Sequence, residues 1–149
     1  MTISVRRGVL LVASLVVMLA APAIAMAQQT PNPVIYFVGA ESVESGGKSF
    51  IRYRYDVLNK ELFPKELFAA APSLPPCGTN TKSSRTWVDI FAQDGKRLNG
   101  FCALTSPNEL NKIWFALEVD SIPPSWIYIQ LVDRQTNTKY KSNLVETTN

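Results

Sequence analysis

The segment FIRYRYDV at residues 50–57 alternates apolar and charged side chains from Ile51 onward. Successive side chains of a β-strand point to opposite faces of the sheet, so this period predicts a strand with one buried and one solvated face. Turn residues bound the segment, with Gly46-Gly47 before it and Asn59-Lys60 after it. The side chains assigned to the buried face are Ile51, Tyr53, Tyr55 and Val57.

Short runs with the same period recur along the chain, between turn signals rich in Gly, Pro, Asn and Asp. The further predicted strands are residues 34–38 continuing into 40–43 after a bend at Gly39, 86–92, 97–104, 113–119, 126–132 and 139–145. Residues 61–70 are predicted to form an edge strand or a short helix, because Pro64 interrupts their apolar pattern. Ser106 and Glu109 fit a capping box, which predicts one helical turn at residues 107–112.

About seven short strands with little helix predict an all-β fold. We expect a single antiparallel β-sandwich of the immunoglobulin or fibronectin-III type, with a small barrel as the alternative. The domain is predicted to span residues 34–145, between a flexible lead-in at 28–33 and a frayed tail at 146–149.

The first 27 residues are predicted to be a secretory signal peptide. Arg6 and Arg7 supply a positive start, residues 8–21 form an apolar stretch, and Ala25-Met26-Ala27 gives a small-residue cleavage site. A retained membrane anchor is the alternative, because the uncharged stretch continues to Ala27. We expect cleavage after Ala27, a periplasmic or secreted protein, and no stable membrane anchor in the mature chain.

The mature chain of 122 residues is long enough for one domain, and its composition excludes several kinds of site. No histidine occurs, which excludes Ser-His-Asp and Cys-His nucleophiles and imidazole metal ligands. The 15 Lys and Arg against 12 Asp and Glu fall to a net charge of +1 once Arg6 and Arg7 are removed. No basic cluster remains that could follow a phosphate backbone, so we expect no nucleic-acid partner.

Cys77 and Cys102 are the two cysteines, and both lie in the exported part of the chain. An oxidising compartment favours a Cys77–Cys102 disulfide, which would tether a Pro-rich loop to a strand. A reactive thiol pair is the alternative, although its usual C-x-x-C spacing is absent.

Several segments resemble short exported bacterial proteins of uncharacterised function. They are Pro75-Pro76-Cys77-Gly78, RTWVDI at 85–90, GFCAL at 100–104, IWFAL at 113–117, Pro123-Pro124-Ser125 and Asp133-Arg134. The likeness covers roughly residues 46–144. It implies an immunoglobulin-like module, and it carries no activity, cofactor or catalytic residue.

The three tryptophans occupy strand positions that alternate with the aliphatic residues. Trp87, Trp114 and Trp126 would therefore face away from the aliphatic set, and Tyr128 with them. The functional hypothesis is an outward aromatic platform for sugar rings or a peptide. Its polar neighbours are Asp89, Glu118 and Gln130. The alternative, favoured by the usual place of aromatic residues, is that the other sheet or residues 61–76 cover these faces.

The polar loop at residues 78–85 is the second candidate site. Asn80, Lys82 and Arg85 are its recognition residues, and a disulfide at Cys77 would preorganise it. An ordinary solvated crossover loop is the favoured alternative.

Carboxylate chemistry is the remaining route to catalysis, because it needs no histidine. The candidates are Asp89, Glu109, Glu118, Asp120 and Asp133. Their spacing predicts no pair held across a cleft, and the G-x-S-x-G and calcium-loop motifs are absent. We therefore expect no enzyme, no metal and no cofactor.

The sequence thus predicts an exported, non-catalytic binding module of unknown ligand. One hypothesis is a carbohydrate-binding module of the cell envelope that uses Trp87, Trp114, Trp126 and Tyr128. The alternative is a protein-binding accessory or inhibitor subunit. It would act on an envelope or secreted partner through the 78–85 loop or an open sheet edge.

Overall fold

The computed structural model describes residues 29–76, 84–102 and 104–147. The predicted signal peptide, Cys77, Asn80 and Lys82 lie outside these ranges, so the cleavage site and the Cys77–Cys102 disulfide stay predictions. Within these ranges, no helix is long and apolar enough to cross a membrane.

The described residues form eight strands in two antiparallel sheets. The strands are β1 (Ile35–Ser45), β2 (Lys48–Val57), β3 (Thr86–Ala92), β4 (Arg97–Cys102), β5 (Ile113–Glu118), β6 (Trp126–Asp133), β7 (Thr138–Lys141) and β8 (Val145–Glu146). Sheet I has the order β1-β2-β5, and sheet II has the order β4-β3-β6-β7 with β8 also paired to β6. The prediction of an all-β, antiparallel β-sandwich is confirmed.

The strand order is that of an immunoglobulin sandwich with one strand moved. An immunoglobulin constant domain places its first, second, fourth and fifth strands in one sheet and its other three strands in the second. Here the fourth strand pairs with the third, so β4 lies in sheet II. The chain therefore passes between the sheets after β2, after β4 and after β5.

The core lies between the inner faces of the two sheets. The alternation of β2 buries Tyr53, Tyr55 and Val57, as predicted. Phe115 on β5 stacks against Tyr53 and Tyr55, with ring centroids 4.9 and 6.1 Å apart. Sheet II supplies the aliphatic half of the core, from Val88, Ile90, Ile127, Ile129 and Leu131.

Residues 61–70 form two 3₁₀ turns rather than one strand or one helix. The turns are Lys60–Leu62 and Lys65–Phe68, and Pro64 between them is extended. Their apolar side chains still reach the core, because Phe63, Leu67 and Phe68 are buried.

The predicted helical turn at Pro107–Lys112 is present as a 3₁₀ helix. Ser106 is the N-cap residue and Pro107 follows it, as predicted, but the capping box is wrong because the Ser106 side chain makes no capping hydrogen bond. Glu109 instead accepts a hydrogen bond from the backbone N–H of Thr105 at 2.6 Å, which lowers the pKa of its carboxyl.

The prediction of one strand over residues 139–145 is wrong, because the segment breaks into β7 and β8 at Ser142. The backbone N–H of Ile129 donates to Oγ of Ser142 at 2.9 Å. Asn143 turns toward sheet I, where it accepts from the N–H of Ile35 at 2.8 Å and donates to the same residue's carbonyl at 3.1 Å. A side-chain amide therefore takes the place of a strand partner and ties the two sheets together.

Both ends of the domain, predicted to be flexible, are packed. Pro33 is buried, and the Asn59 side chain donates to the carbonyl of Asn32 at 2.9 Å. Thr147 is buried, and its N–H donates to the carbonyl of Ser125 at 3.1 Å. These residues therefore contact the folded domain, and the flexibility of the lead-in and of the tail stays a prediction.

Candidate functional site

The outer face of sheet II carries aromatic side chains on its two central strands. They are Trp87 and Phe91 of β3 and Trp126 and Tyr128 of β6, and we call this set the aromatic face. Each alternates with a buried neighbour, and Trp126, 37% exposed, is the most open of the three tryptophans. The predicted phase of Trp87, Trp126 and Tyr128, opposite the aliphatic residues, is confirmed.

Phe91 and Tyr128 form a cross-strand pair at one end of this face. They lie opposite each other in the β3–β6 register, and their rings stack with centroids 5.3 Å apart at an interplanar angle of 17°. Nζ of Lys141 lies 4.0 Å from the Tyr128 ring centroid. Cross-strand aromatic pairs and cation–π contacts both stabilise a sheet surface, so these three side chains hold one another in place.

Trp87 is held by polar and cationic neighbours. Its Nε1–H donates to Oδ1 of Asp89 at 2.8 Å, and Nε of Arg97 donates to the same oxygen at 2.6 Å. The guanidinium groups of Arg97 and Arg134 lie 5.9 and 5.8 Å from the Trp87 ring centroid. Trp87 is therefore a partly covered side chain of fixed orientation, whereas Trp126 is open.

Gly100 allows the contact between Arg97 and Asp89. It lies opposite Asp89 in the β3–β4 register, and a Cβ added there would lie 2.0 Å from Nη2 of Arg97 and 2.5 Å from Oδ1 of Asp89. The Arg97 side chain thus passes over Gly100 of its own strand, which leaves room because it has no side chain. The sequence prediction missed both residues. The register of the Asp94-Gly95 hairpin could have placed Gly100 opposite Asp89, but the irregularity that sets Arg97 opposite Phe91 is not visible in the local pattern.

Trp114 does not belong to the aromatic face, because β5 lies in sheet I. Its ring is approached by the Arg52 guanidinium at 5.0 Å and by the edge of Phe101 at 5.8 Å. Glu118, predicted to flank the platform, also lies on β5 and forms an ion pair with Lys48 at 2.6 Å. A single platform built from all three tryptophans is therefore wrong.

Arg85, predicted as a recognition residue, forms a structural ion pair. Its Nε and Nη2 donate to the two carboxylate oxygens of Asp133 at 2.8 and 2.7 Å. Asp133 is buried and also accepts hydrogen bonds from the N–H of Gln135 and the hydroxyl of Thr136. The hydrogen bond from Arg85, with those from Thr136 and Gln135, lowers the pKa of Asp133 to about 2.

The predicted acidic residues are spread over the molecule. Asp89 lies on the outer face of sheet II and Glu118 on sheet I, while Glu109 bonds Thr105 and Asp133 bonds Arg85. Among the described residues, no three His, Cys, Asp or Glu side chains converge as metal ligands.

The cationic side chains around the aromatic face differ in their ion-pair and hydrogen-bond partners. Arg97 is paired with Asp89 at 2.6 Å, and Arg134 donates to the carbonyls of Ser84 and Pro75. Lys139 and Lys141 follow on β7, and within the described residues neither forms an ion pair.

The candidate site therefore combines stacked and open rings with lysines on the adjoining strand. In the β6–β7 register Lys141 lies opposite Gln130, which adds an amide to the same face. The rings offer flat apolar contact, and the polar groups offer donors and acceptors. The chain matches no family model, no curated protein and no solved structure.

Proposed function

We propose that this protein is a non-catalytic binding module that holds a saccharide on the outer face of sheet II. The observation that carries the proposal is the aromatic face, in particular the open ring of Trp126 beside the stacked pair of Phe91 and Tyr128. Sugar rings have apolar C–H faces that pack on aromatic rings, and hydroxyl groups that need hydrogen-bond partners.

Polar groups of the same strands can supply hydrogen-bond partners for the hydroxyl groups of a sugar. Gln130 follows Tyr128 by two residues, so both side chains lie on one face. Its amide both donates and accepts hydrogen bonds, which suits a hydroxyl group. Oδ1 of Asp89 already accepts hydrogen bonds from Trp87 and Arg97, so Asp89 mainly orients these two side chains.

The rigidity of the sandwich supports a binding role. Residues Ile127 and Ile129, which alternate with Trp126 and Tyr128, are fully buried and fix the backbone of β6. A ligand face whose side chains are already ordered loses less conformational entropy on binding.

The proposal places the module in the periplasm or outside the cell. The predicted signal peptide at residues 1–27 and the predicted Cys77–Cys102 disulfide support that location, because structural disulfides persist in oxidising compartments. Two free thiols in the intact mass of the exported protein would contradict the disulfide.

A protein-binding accessory subunit is the second candidate, and the edge of sheet I favours it. The eleven-residue β1 is an edge strand, and Tyr36 and Val38 on it are 43% and 46% exposed. An extended segment of a partner could add to such an edge through main-chain hydrogen bonds.

Tryptophan fluorescence of the mature protein, titrated with a panel of soluble polysaccharides, tests the first proposal. We expect saturable binding that weakens about tenfold in Trp126→Ala and in Tyr128→Ala, because each removes a stacking ring. Isothermal titration calorimetry gives the affinity of Trp126→Ala without relying on the lost fluorophore.

Tyr36→Ala is the matched control, because it removes an exposed aromatic ring from the outer side of sheet I. Equal loss of saccharide binding in Tyr36→Ala would contradict the assignment to sheet II. Absence of saccharide binding, with one envelope protein co-purifying until Tyr36 and Val38 are changed, would favour the second candidate.

A further inference from the structure

We infer that the saccharide bound by the aromatic face is acidic, with carboxylate or sulfate groups that Lys139 and Lys141 receive. The inference rests on the proposed function, since it names the ligand class of the same face. It is carried by the place of the two lysines beside the rings and by their lack of acidic partners among the described residues.

The two lysines form one row. They are two residues apart on β7, which puts both side chains on the same face about 6.7 Å apart along the strand. In the β6–β7 register Lys141 lies opposite Gln130, two residues from Tyr128. Lys139 lies opposite Val132, which pairs on its other side with Trp87. Both lysines are exposed, so an approaching anion can reach them.

Nearby acids do not neutralise this row. Asp89 is engaged by Arg97 at 2.6 Å, and Asp133 is buried with Arg85. Glu146 on β8 lies opposite Trp126 in the β6–β8 register and forms no ion pair within the described residues. The edge of the aromatic face formed by β7 is therefore positively charged.

Lys141 also gives a physical reason for discrimination against neutral ligands. Its ammonium group lies 4.0 Å from the centroid of Tyr128, where a stacked sugar would lie. A neutral sugar must displace the ammonium and loses the cation–π attraction. An acidic sugar offers the displaced ammonium a carboxylate or sulfate, so the ion pair replaces the lost contact.

The test compares oligogalacturonates with the same oligosaccharides after methyl esterification, a pair with one sugar backbone in which a methyl group replaces the charge of each carboxylate. We expect the acidic form to bind the wild-type protein about tenfold more tightly at low salt. That preference should fall as sodium chloride rises from about 50 to 500 mM, because exposed charges are screened. Dextran sulfate against dextran is the second pair, and preference for either acid over its neutral form supports the inference.

The double variant Lys139→Gln/Lys141→Gln should lose the preference and should bind the methyl ester at least as well as the wild type. The matched control is Lys48→Gln/Lys65→Gln, which removes the same net charge away from β7. Equal loss of preference in both doubles would reveal a general charge effect and would overturn the inference.

The outcomes separate this inference from the proposed function. Equal binding of charged and neutral oligosaccharides overturns the acidic ligand and leaves the saccharide module standing. No binding of any of the four probes overturns the acidic ligand, whereas the saccharide module is overturned only if the whole polysaccharide panel also fails to bind. Thermal unfolding of each double variant at the wild-type temperature excludes misfolding as the cause of a loss.

Discussion

The outer faces of the two sheets carry similar types of residue, but their charged side chains differ in the partners that they find. On sheet I, the three cations of β2 each lie within 4 Å of a carboxylate, Arg52 and Arg54 at Glu41 and Lys48 at Glu118. Trp114 on that side is approached by Arg52 and Phe101. On sheet I, each cation of β2 therefore has a carboxylate neighbour, although Arg52 and Arg54 share one.

On sheet II the aromatic residues lie side by side on two neighbouring strands, and the lysines of β7 lack carboxylate partners within the described residues. Both faces obey the same alternation of inward and outward side chains, so the period alone does not distinguish them. An outward aromatic residue is therefore a candidate ligand contact where the charged side chains beside it have no ion-pair partner among the described residues.

We expect the greatest loss of stability when a buried aromatic residue is truncated, and a smaller loss for one on the outer face. Phe115→Ala should lower the free energy of unfolding by about 3–5 kcal/mol, because it removes a buried ring that stacks on Tyr53 and Tyr55. Trp126→Ala on the aromatic face should cost less, about 1–2 kcal/mol, because the residue is 37% exposed and loses fewer packing contacts. Urea denaturation measures both. A cost for Trp126→Ala near that of Phe115→Ala would make Trp126 a core residue.

The next effect compares a buried ion pair with an exposed one. Asp133→Asn should cost about 2 kcal/mol at neutral pH, because the pKa of Asp133 is lowered to about 2 in the folded protein. Glu118→Gln should cost less than about 1 kcal/mol, since its pair with Lys48 is exposed.

The same pair predicts a pH dependence. A lowered pKa means that the Asp133 contribution is present above the unfolded value of about 4 and is lost as the pH falls toward about 2. Wild-type stability, followed by urea denaturation, should therefore fall toward that of Asp133→Asn over this range. A constant difference between the two proteins from neutral pH to pH 2 would contradict this role.

A smaller effect tests how Trp87 is held. Gly100→Ala should displace Arg97 from Asp89 at a cost of about 1 kcal/mol, because the added Cβ meets the end of a flexible side chain. In a protein that keeps Trp87 as its one tryptophan, the emission of Trp87 should change. Arg97→Ala should produce the same change without steric conflict. Unchanged emission in both variants would show that Arg97 does not order the indole.

The smallest effect concerns the inner face of sheet I. The Tyr55 hydroxyl is buried with no hydrogen-bond partner among the described residues, and burial raises its pKa. Tyr55→Phe should therefore leave the stability unchanged or raise it by up to about 1 kcal/mol, as thermal unfolding would report. Tyr53→Phe is the control on the same strand. A clear loss of stability in Tyr55→Phe alone would indicate a partner for the hydroxyl.

The strands and their phases could be predicted because each depends on neighbouring residues. Thr86–Ala92 is predicted with its observed bounds, and Val88 and Ile90 are buried as the period requires. The Gly46-Gly47 turn follows from backbone freedom, since both residues adopt positive φ. Local signals fail at Ser142, where the break in the last strand depends on Asn143 binding Ile35 of the other sheet.

The candidate site could be predicted only in part. The outward phase of Trp87, Trp126 and Tyr128 came from the period, because alternation is a property of a single strand. The exclusion of Trp114 depends on β5 pairing with β2. The role of Arg85 depends on Asp133, which is 48 residues away in the chain.

The all-β class, the alternation of the strands and the absence of histidine chemistry could be predicted from the sequence. These properties are local or compositional, so no long-range pairing is needed to read them. The folded structure is needed to establish which tryptophans share a face, which cations meet carboxylates and which lysines lack a carboxylate partner among the described residues. The physical reason is that strand pairing and side-chain contact join residues far apart in the chain, and a local period carries no information about those partners.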